Sequence, residues 1–446
     1  MSCRIVLPAL SCALLCLLGC GHTARTLEMR TALDEGRPRD AIASLDKELE
    51  VDKDAELPKD IQGDNALLVL DRASIQQSLN QWKLSETDFG AADKAIDMLD
   101  LAHNAGDSIG EFVFSGSVGK YQAPPYEKLL INVLNMMNYL ETGDLNGARI
   151  EARRMSVMDK YLVDQLHEDN NAVLGLGSFL AGLTYEKSGD FDEGLRYYDE
   201  TLRFSGFESL KEAVRTVLAE GSYTSPRLKG LAGDKPPLDP VEKTGEAELV
   251  FVIGYGRVPH KESNRIPIGL ALTLFAGDIH PNDAVAANKL AAQGLVTWVN
   301  FPTMGKEQGA YAIPECQVDG SFVQLEEAVD VTQQVRAEWK KIEGKIVASA
   351  ITRLVARLAV GAGIQAATKD SVVGFLASLG TQATLTALDT PDTRSWETLP
   401  ARIAIARVRV PAGRHEIFLR ARGVYRREPV VLEKGGWKLV SLMALR

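Results

Sequence analysis

The stretch YEKSGDFDEGLRYYDETL, Tyr185 to Leu202, reads as the end of one helix, a Gly189-Asp190 turn and a second, amphipathic helix. Glycine suits that turn, because a helix end often needs a left-handed residue there. The same frame lies on three earlier turns, at Gly143, Asn80 and Gly36. Five positions after each turn stands a small residue: Gly194, Ala148, Ser85 and Ala41. A short side chain at that point lets the second helix lie close against the first. The N-terminal half therefore reads as consecutive helix pairs, with a generic helical bundle as the alternative.

Gly182, Tyr185, Gly194, Tyr198 and Thr201 fall on the packing positions of a tetratricopeptide (TPR) repeat, which this stretch resembles. The large position is Tyr198, Phe89 and Leu45 in three pairs but Ala152 in the third, whose first small position is Met136. The turns at 36, 80, 143 and 189 are 44, 63 and 46 residues apart, against about 34 in that family. The extra length reads as insertions, the longest from about His103 to Pro125. In the third pair, Asn132, Asn135 and Asn138 recur every three residues and share one inclined stripe of a helix. The TPR resemblance puts that stripe in a concave groove facing a bound peptide, whose backbone the amides could bond as both donor and acceptor.

The N-terminus carries an address. Ile5 to Leu18 is an apolar run of fourteen residues after Arg4, shorter than the roughly 20 a bilayer span needs and suited to a secretion signal. Leu17-Leu18-Gly19-Cys20 then resembles the lipobox of bacterial lipoproteins. The resemblance implies cleavage before Cys20, a diacylglyceryl thioether on its sulfur and an acylated amino terminus; two or more chains anchor stably where one does not. An ordinary signal peptide is the alternative. Gly21, where inner-membrane retention would want Asp, points by the same resemblance to the outer membrane facing the periplasm, with the inner membrane or cell surface as alternatives. With Cys20 as lipid carrier, Cys316 is the one thiol of the mature chain, so the fold rests on its core and not on disulfides.

After Ser225–Val241, a Pro- and Gly-rich linker, the pattern becomes mixed. Ala247–Gly256 and Gly294–Pro302 are short β-branched runs, and Val318-Asp319-Gly320-Ser321 is a hairpin turn. The last fifty residues read as two antiparallel hairpins: ARIAIARVRV with HEIFLRAR across a PAG turn, and EPVVLE with WKLVSLMAL across Lys434-Gly435-Gly436. Between lies a helical block, about Val331 to Leu388, whose uncharged part, Ser371–Leu388, reads as half of a buried helical hairpin, with membrane insertion the alternative. The expected fold is α+β: signal peptide 1–19, lipidated tether 20–25, TPR-like helical domain 26–220, linker 221–245 and α+β domain 246–446. DNALLVLDRASIQQSLNQWKLSETDFGAADKAIDML, YEKLLINVLNMMNYLETGDLNGARIEARR and DTRSWETLPARIAIARVRVPAGRHE together resemble a family of TPR-like lipoproteins of Gram-negative bacteria. That resemblance covers most of the chain after Asp64 and carries no catalytic residue across.

Motifs of chemistry are weak. GYGRVP has two glycines and runs into Pro259 instead of opening a helix, so it reads as a turn. GDIHPND groups Asp278, His280 and Asp283 at a surface turn without a second histidine cluster. Cys316 has no nucleophile context. No catalytic residue, metal ligand or cofactor is assigned, and the chain is not expected to be an enzyme. The net charge of -10 argues against nucleic acid. Glu28–Asp100 holds 18 acidic and 9 basic residues, whereas Arg394–Arg446 holds 12 basic and 4 acidic. The basic end suits an anionic envelope polymer or lipid, or the acidic helices of its own chain. The expected function is a membrane-anchored scaffold that binds an envelope protein through a TPR-like groove. The alternatives are a cell-wall hydrolase and a membrane-active protein using the helices at 347–388.

Overall fold

The structure, a computed structural model, describes residues 21–53, 55–98, 121–166, 172–275, 277–292, 298–308, 313–367 and 391–446. The signal peptide, Cys20, most of the 103–125 insertion and Ser371–Leu388 lie outside the described residues. The fold is mixed α+β, helical toward the N-terminus and built of sheets toward the C-terminus.

Helices pair in chain order: α1 (Leu27–Asp34) with α2 (Pro38–Glu48), α3 (Asp64–Ser78) with α4 (Trp82–Ala95), α5 (Pro125–Thr142) with α6 (Leu145–Leu166), and α7 (Val173–Lys187) with α8 (Phe191–Phe204). The turns between partners are built alike. Gly36, Asn80, Gly143 and Gly189 have φ of 73°, 61°, 76° and 77°. After each, the next N–H donates to the carbonyl five residues back: Arg37 to Ala32 at 2.8 Å, Gln81 to Gln76 at 2.9 Å, Asp144 to Tyr139 at 2.8 Å and Asp190 to Tyr185 at 3.0 Å. Such a bond closes a helix whose chain is reversed by a left-handed residue. Behind the turns Ala41, Ser85 and Ala148 are fully buried. A Cβ on Gly194 would stand 3.2 Å from the Glu186 amide nitrogen and 3.3 Å from the Gly182 carbonyl oxygen. The fourth pair tucks Gly182 beneath the Tyr198 ring. The third pair buries Met136 and Ala152 at the same two positions, large and small exchanged, which keeps the volume to be filled.

Downstream, α9 (Leu210–Val217) and α10 (Pro226–Ala232) lead into the sheets. The strands are β1 (Glu246–Tyr255), β2 (Lys261–Pro267), β3 (Trp298–Met304), β4 (Glu315–Val318), β5 (Ser321–Phe322), β6 (Glu326–Asp330), β7 (Arg402–Pro411), β8 (Gly413–Ala421), β9 (Val424–Leu432) and β10 (Trp437–Ala444). A central sheet runs β10-β1-β7-β6, an outer sheet β9-β8-β4-β5, and β2 pairs with β3 apart from both. In the central sheet β10 is parallel to β1, and the other neighbours are antiparallel.

Three layers result. Leu249, Phe251 and Ile253 of β1 pack on Ile417, Leu419 and Val430 of the outer sheet. Val250 and Val252, with Ile405 and Leu439, join the core of the helices. A strand covered on both faces has no polar side to alternate with, which is why AELVFVIGY is almost wholly apolar.

The expected C-terminal hairpins are corrected by this layering. Neither β7 with β8 nor β9 with β10 forms a pair: the PAG and KGG turns carry the chain from one sheet to the other. The hairpin is β8 with β9, closed at Arg422-Gly423, where φ is 49° and 79°, as a two-residue turn between twisted strands requires. The physical reason lies in burial. β10 is buried along most of its length and belongs between layers, whereas β8 and β9 largely alternate and belong where one face meets water. The Asp319-Gly320 turn does join β4 to β5, with φ of 52° and 80°.

A smaller unit stands apart. The β2–β3 pair packs with α11 (Ile268–Leu274), α12 (Pro281–Ala292) and the long α13 (Val331–Ala367) around Ile268, Ala271, Val299, Phe301, Val347 and Ile351. Val347, Ile351 and Leu354 are thus buried against β2–β3 and its helices, and among the described residues no helix is long and apolar enough to cross a membrane.

Candidate functional site

The face presented by the first helices of the pairs is already occupied by the chain itself. Asp392–Leu399, from the DTRSWETL segment before β7, lies against α3, α4 and α5. Asp71 Oδ1 accepts the N–H groups of Glu397 and Thr398 at 3.1 and 3.0 Å, and the Thr398 hydroxyl at 2.8 Å. Trp396 donates from Nε1 to Ser74 Oγ at 3.1 Å and meets Phe89 edge-on, with ring centroids 5.8 Å apart. Arg30 donates to Glu397 Oε2 at 2.6 Å. Burial, reinforced by the neighbouring Glu397, pushes the Asp71 carboxyl well above its ordinary range. Further along, Ser441 of β10 donates its N–H and hydroxyl to Glu141 of α5 at 2.5 and 2.8 Å.

Asn132, Asn135 and Asn138 are buried at 4%, 2% and 0% exposure. Asn132 and Asn135 donate to the two oxygens of Glu151 on α6, at 2.9 and 3.2 Å. Asn138 donates to Ser85 of α4 at 2.9 Å and accepts from Gln77 of α3 at 2.8 Å. The stripe therefore bonds helix to helix and has no open face for a peptide. Three-residue spacing told that the amides share a face, but not which neighbour that face meets.

Part of the basic C-terminal end turns inward. Arg407 of β7 pairs with Glu186 of α7 at 2.6 Å, and Arg426 of β9 with Glu141 of α5 at 2.6 Å. On the outer sheet Arg414 pairs with Glu416 at 3.1 Å and Arg420 with Glu315 at 2.5 Å. Of the two readings of the basic end, docking on its own helices is the one in which Arg407 and Arg426 take part.

An open concavity remains beside this seam. A cavity of ≈ 550 Å³ lies between the α7–α8 turn, α9, Pro240 with the short helix Val241–Thr244, and the central sheet. Phe191, Val217, Val241 and Trp437 supply apolar wall; Lys187, Arg407, Arg409 and Lys243 face Glu186, Glu220, Glu242 and Glu248. At its floor Arg407 donates to both oxygens of Glu248, at 2.7 and 2.8 Å, and to the Tyr198 hydroxyl at 2.7 Å. Lys187 adds an ion pair to Glu248 at 2.6 Å. Nearer the rim, Arg409 donates to Thr216 Oγ1 at 2.5 Å and to the Asp239 carbonyl at 2.8 Å, and Lys243 pairs with Glu220 at 3.1 Å.

Burial alone would raise the Glu186 carboxyl, but Arg407 and Lys187 outweigh it and hold it at about 2. The same two cations outweigh burial at Glu248 and keep it low. Burial would lower Lys187, yet Glu186 and Glu248 hold it above its usual value. These floor groups are fixed ions at neutral pH, so they can orient a charged or dipolar ligand but are not poised to exchange protons.

Of the weak motifs, GYGRVP turns at Gly256, where φ is 70°, and places the buried Arg257 in an ion pair with the exposed Asp34. In GDIHPND, Pro281 opens α12 and Asp283 accepts from Thr352 of α13 at 2.7 Å. Cys316 is buried in the inter-sheet core, and burial lifts its thiol to about 12. Among the described residues no cluster of three or more His, Cys, Asp or Glu is arranged to hold a metal. The cleft itself was not foreseen, because its lining comes from five separated stretches of sequence. No family model, curated protein or solved structure matches the chain.

Proposed function

We propose that this chain is an envelope lipoprotein, anchored through Cys20, that acts as a scaffold: its TPR-like helix pairs hold the sheet domain in their own groove and offer a partner the neighbouring cleft. The observation that carries this reading is the cavity between the α7–α8 turn and the central sheet, open, part apolar and lined by fixed charges of both signs. The repeated turn at Gly36, Asn80, Gly143 and Gly189 supports the TPR-like description. A groove filled by its own chain is not free for a partner, whereas the cleft is large enough for a few side chains of a protein segment. Charge of both signs suits a partner segment that carries both. The proton-inert floor favours binding over cell-wall hydrolysis at this place.

The test is site-specific photo-crosslinking in membranes that retain the anchor. A photo-reactive residue at Glu220, on the cleft rim, is expected to capture a defined envelope protein, and one at Val157, 71% exposed on α6, is not. The same adduct from both sites, or none from Glu220 in a membrane-bound chain, overturns the reading.

A further inference from the structure

The β2–β3 arm leaves the body beside the N-terminus. Thr23 donates from Oγ1 to the Lys261 carbonyl at 3.3 Å and from its N–H to Thr393 Oγ1 at 3.4 Å. Cys20 is three residues earlier, so chain reach puts the attachment point of a lipid on it no farther than about 10 Å from Thr23. From Lys261, the seven residues of β2 carry the chain about 20 Å outward to α11.

No charged residue occurs from Ile266 to Gly277. Ile268 and Ala271 point inward at 2% and 0% exposure, while Leu270 and Leu274 stand outward at 46% and 61%. Four residues apart, those two leucines share one helix face. Where β2 meets α11, Pro267 pairs with Trp298, and the Arg265 guanidinium lies 5.4 Å over the Trp298 ring. Outward leucines edged by tryptophan and arginine match the bilayer interface, where aliphatic groups enter the acyl boundary and amphipathic ones stay at headgroup level. An anchor at the arm's base also confines α11 to the membrane's vicinity, so a contact too weak to bind from solution becomes effectively intramolecular.

We infer that α11, through Leu270 and Leu274, is a second membrane contact that docks in the bilayer interface beside the lipid anchor. The inference rests on the anchoring proposed above. The occupant is the lipid surface itself, since the anchor sets the arm's base at the membrane and no charge on α11 opposes insertion.

The test uses the mature lipidated chain in vesicles of phosphatidylethanolamine and phosphatidylglycerol. Leu274→Cys or Val431→Cys carries a bimane, with Cys316 buried and out of reach. With brominated acyl chains, emission is expected to be mostly lost at position 274 and unchanged at position 431 on the outer sheet. A chain that floats with the vesicles yet keeps its emission at 274 overturns the α11 contact and leaves the anchor standing. A chain that does not float overturns both. Emission at 274 already shifted as in an apolar site before vesicles are added also overturns the contact, showing that another segment of the chain covers the leucines.

Discussion

The Arg407 guanidinium reaches from the central sheet to Glu186 of α7 at 2.6 Å. It thereby ties the strand after the DTRSWETL segment to the last full helix pair, with Glu248 and Tyr198 completing its bonds. Removing one partner of a buried pair leaves charge uncompensated. Arg407→Met is expected to destabilise the protein by about 3 to 5 kcal/mol, read by urea unfolding. Adding Glu186→Gln and Glu248→Gln should recover part of that loss; no recovery would mean the arginine acts through its volume alone.

Gly182→Ala tests the close helix crossing. Its Cβ would sit 2.4 Å from the Tyr198 ring, whose hydroxyl is held by Glu186 at 2.6 Å. The ring has little room to yield, and the expected cost is about 1 to 3 kcal/mol. A calorimetric melt as high as that of the unaltered chain would argue against this crossing.

Replacing Asn132 and Asn135 by Ala separates a bonded interface from an open polar face. On an open face alanine would stabilise the helix by up to about 0.7 kcal/mol per site. In the interface the change strips both amide donors from Glu151, a carboxylate that burial already pushes up. The double variant should therefore lose about 1 to 3 kcal/mol, measured by chemical denaturation, and a gain in stability would refute the placement.

Acid stability should report on His22. Its ring nitrogens lie 3.8 Å from Asp64 Oδ1 and 3.9 Å from Glu397 Oε1. Burial dominates over the opposing pull of Glu397 and Asp392 and lowers the imidazole from 6.5 to about 4. Between those values the unfolded chain binds a proton that the folded chain refuses, so stability falls as pH drops from 6.5 toward 4. At about 1.4 kcal/mol per pH decade the loss approaches about 3 kcal/mol. His22→Gln should flatten that part of the stability-versus-pH curve, while His260, lowered likewise by burial, keeps some slope in both proteins. Parallel curves would exclude His22 as the source.

The helix pairs were legible because their turns are local. Gly36, Asn80, Gly143 and Gly189 each need a left-handed backbone within a few residues, and the small residues beyond them answer to the same short stretch of chain. The Asp319-Gly320 turn was readable for the same reason. The Asn stripe was legible as a stripe and illegible as a site, since the partners of its amides come from α3, α4 and α6. The cleft was invisible because no local pattern marks a cavity.

By itself, then, the sequence determined the helix pairs and their turns, the mixed C-terminal half, the apolar runs that must be buried and the opposite charge of the two ends. Those follow from backbone conformation and side-chain periodicity, which act over a few residues. Only the tertiary structure decided that PAG and KGG are crossings between sheets, that DTRSWETL packs against the chain's own helices, and that Arg407 and Arg426 turn inward to Glu186 and Glu141. Each depends on which surfaces meet across hundreds of residues. An apolar strand needs cover and a buried charge needs a partner, but neither requirement names in advance the element that supplies it.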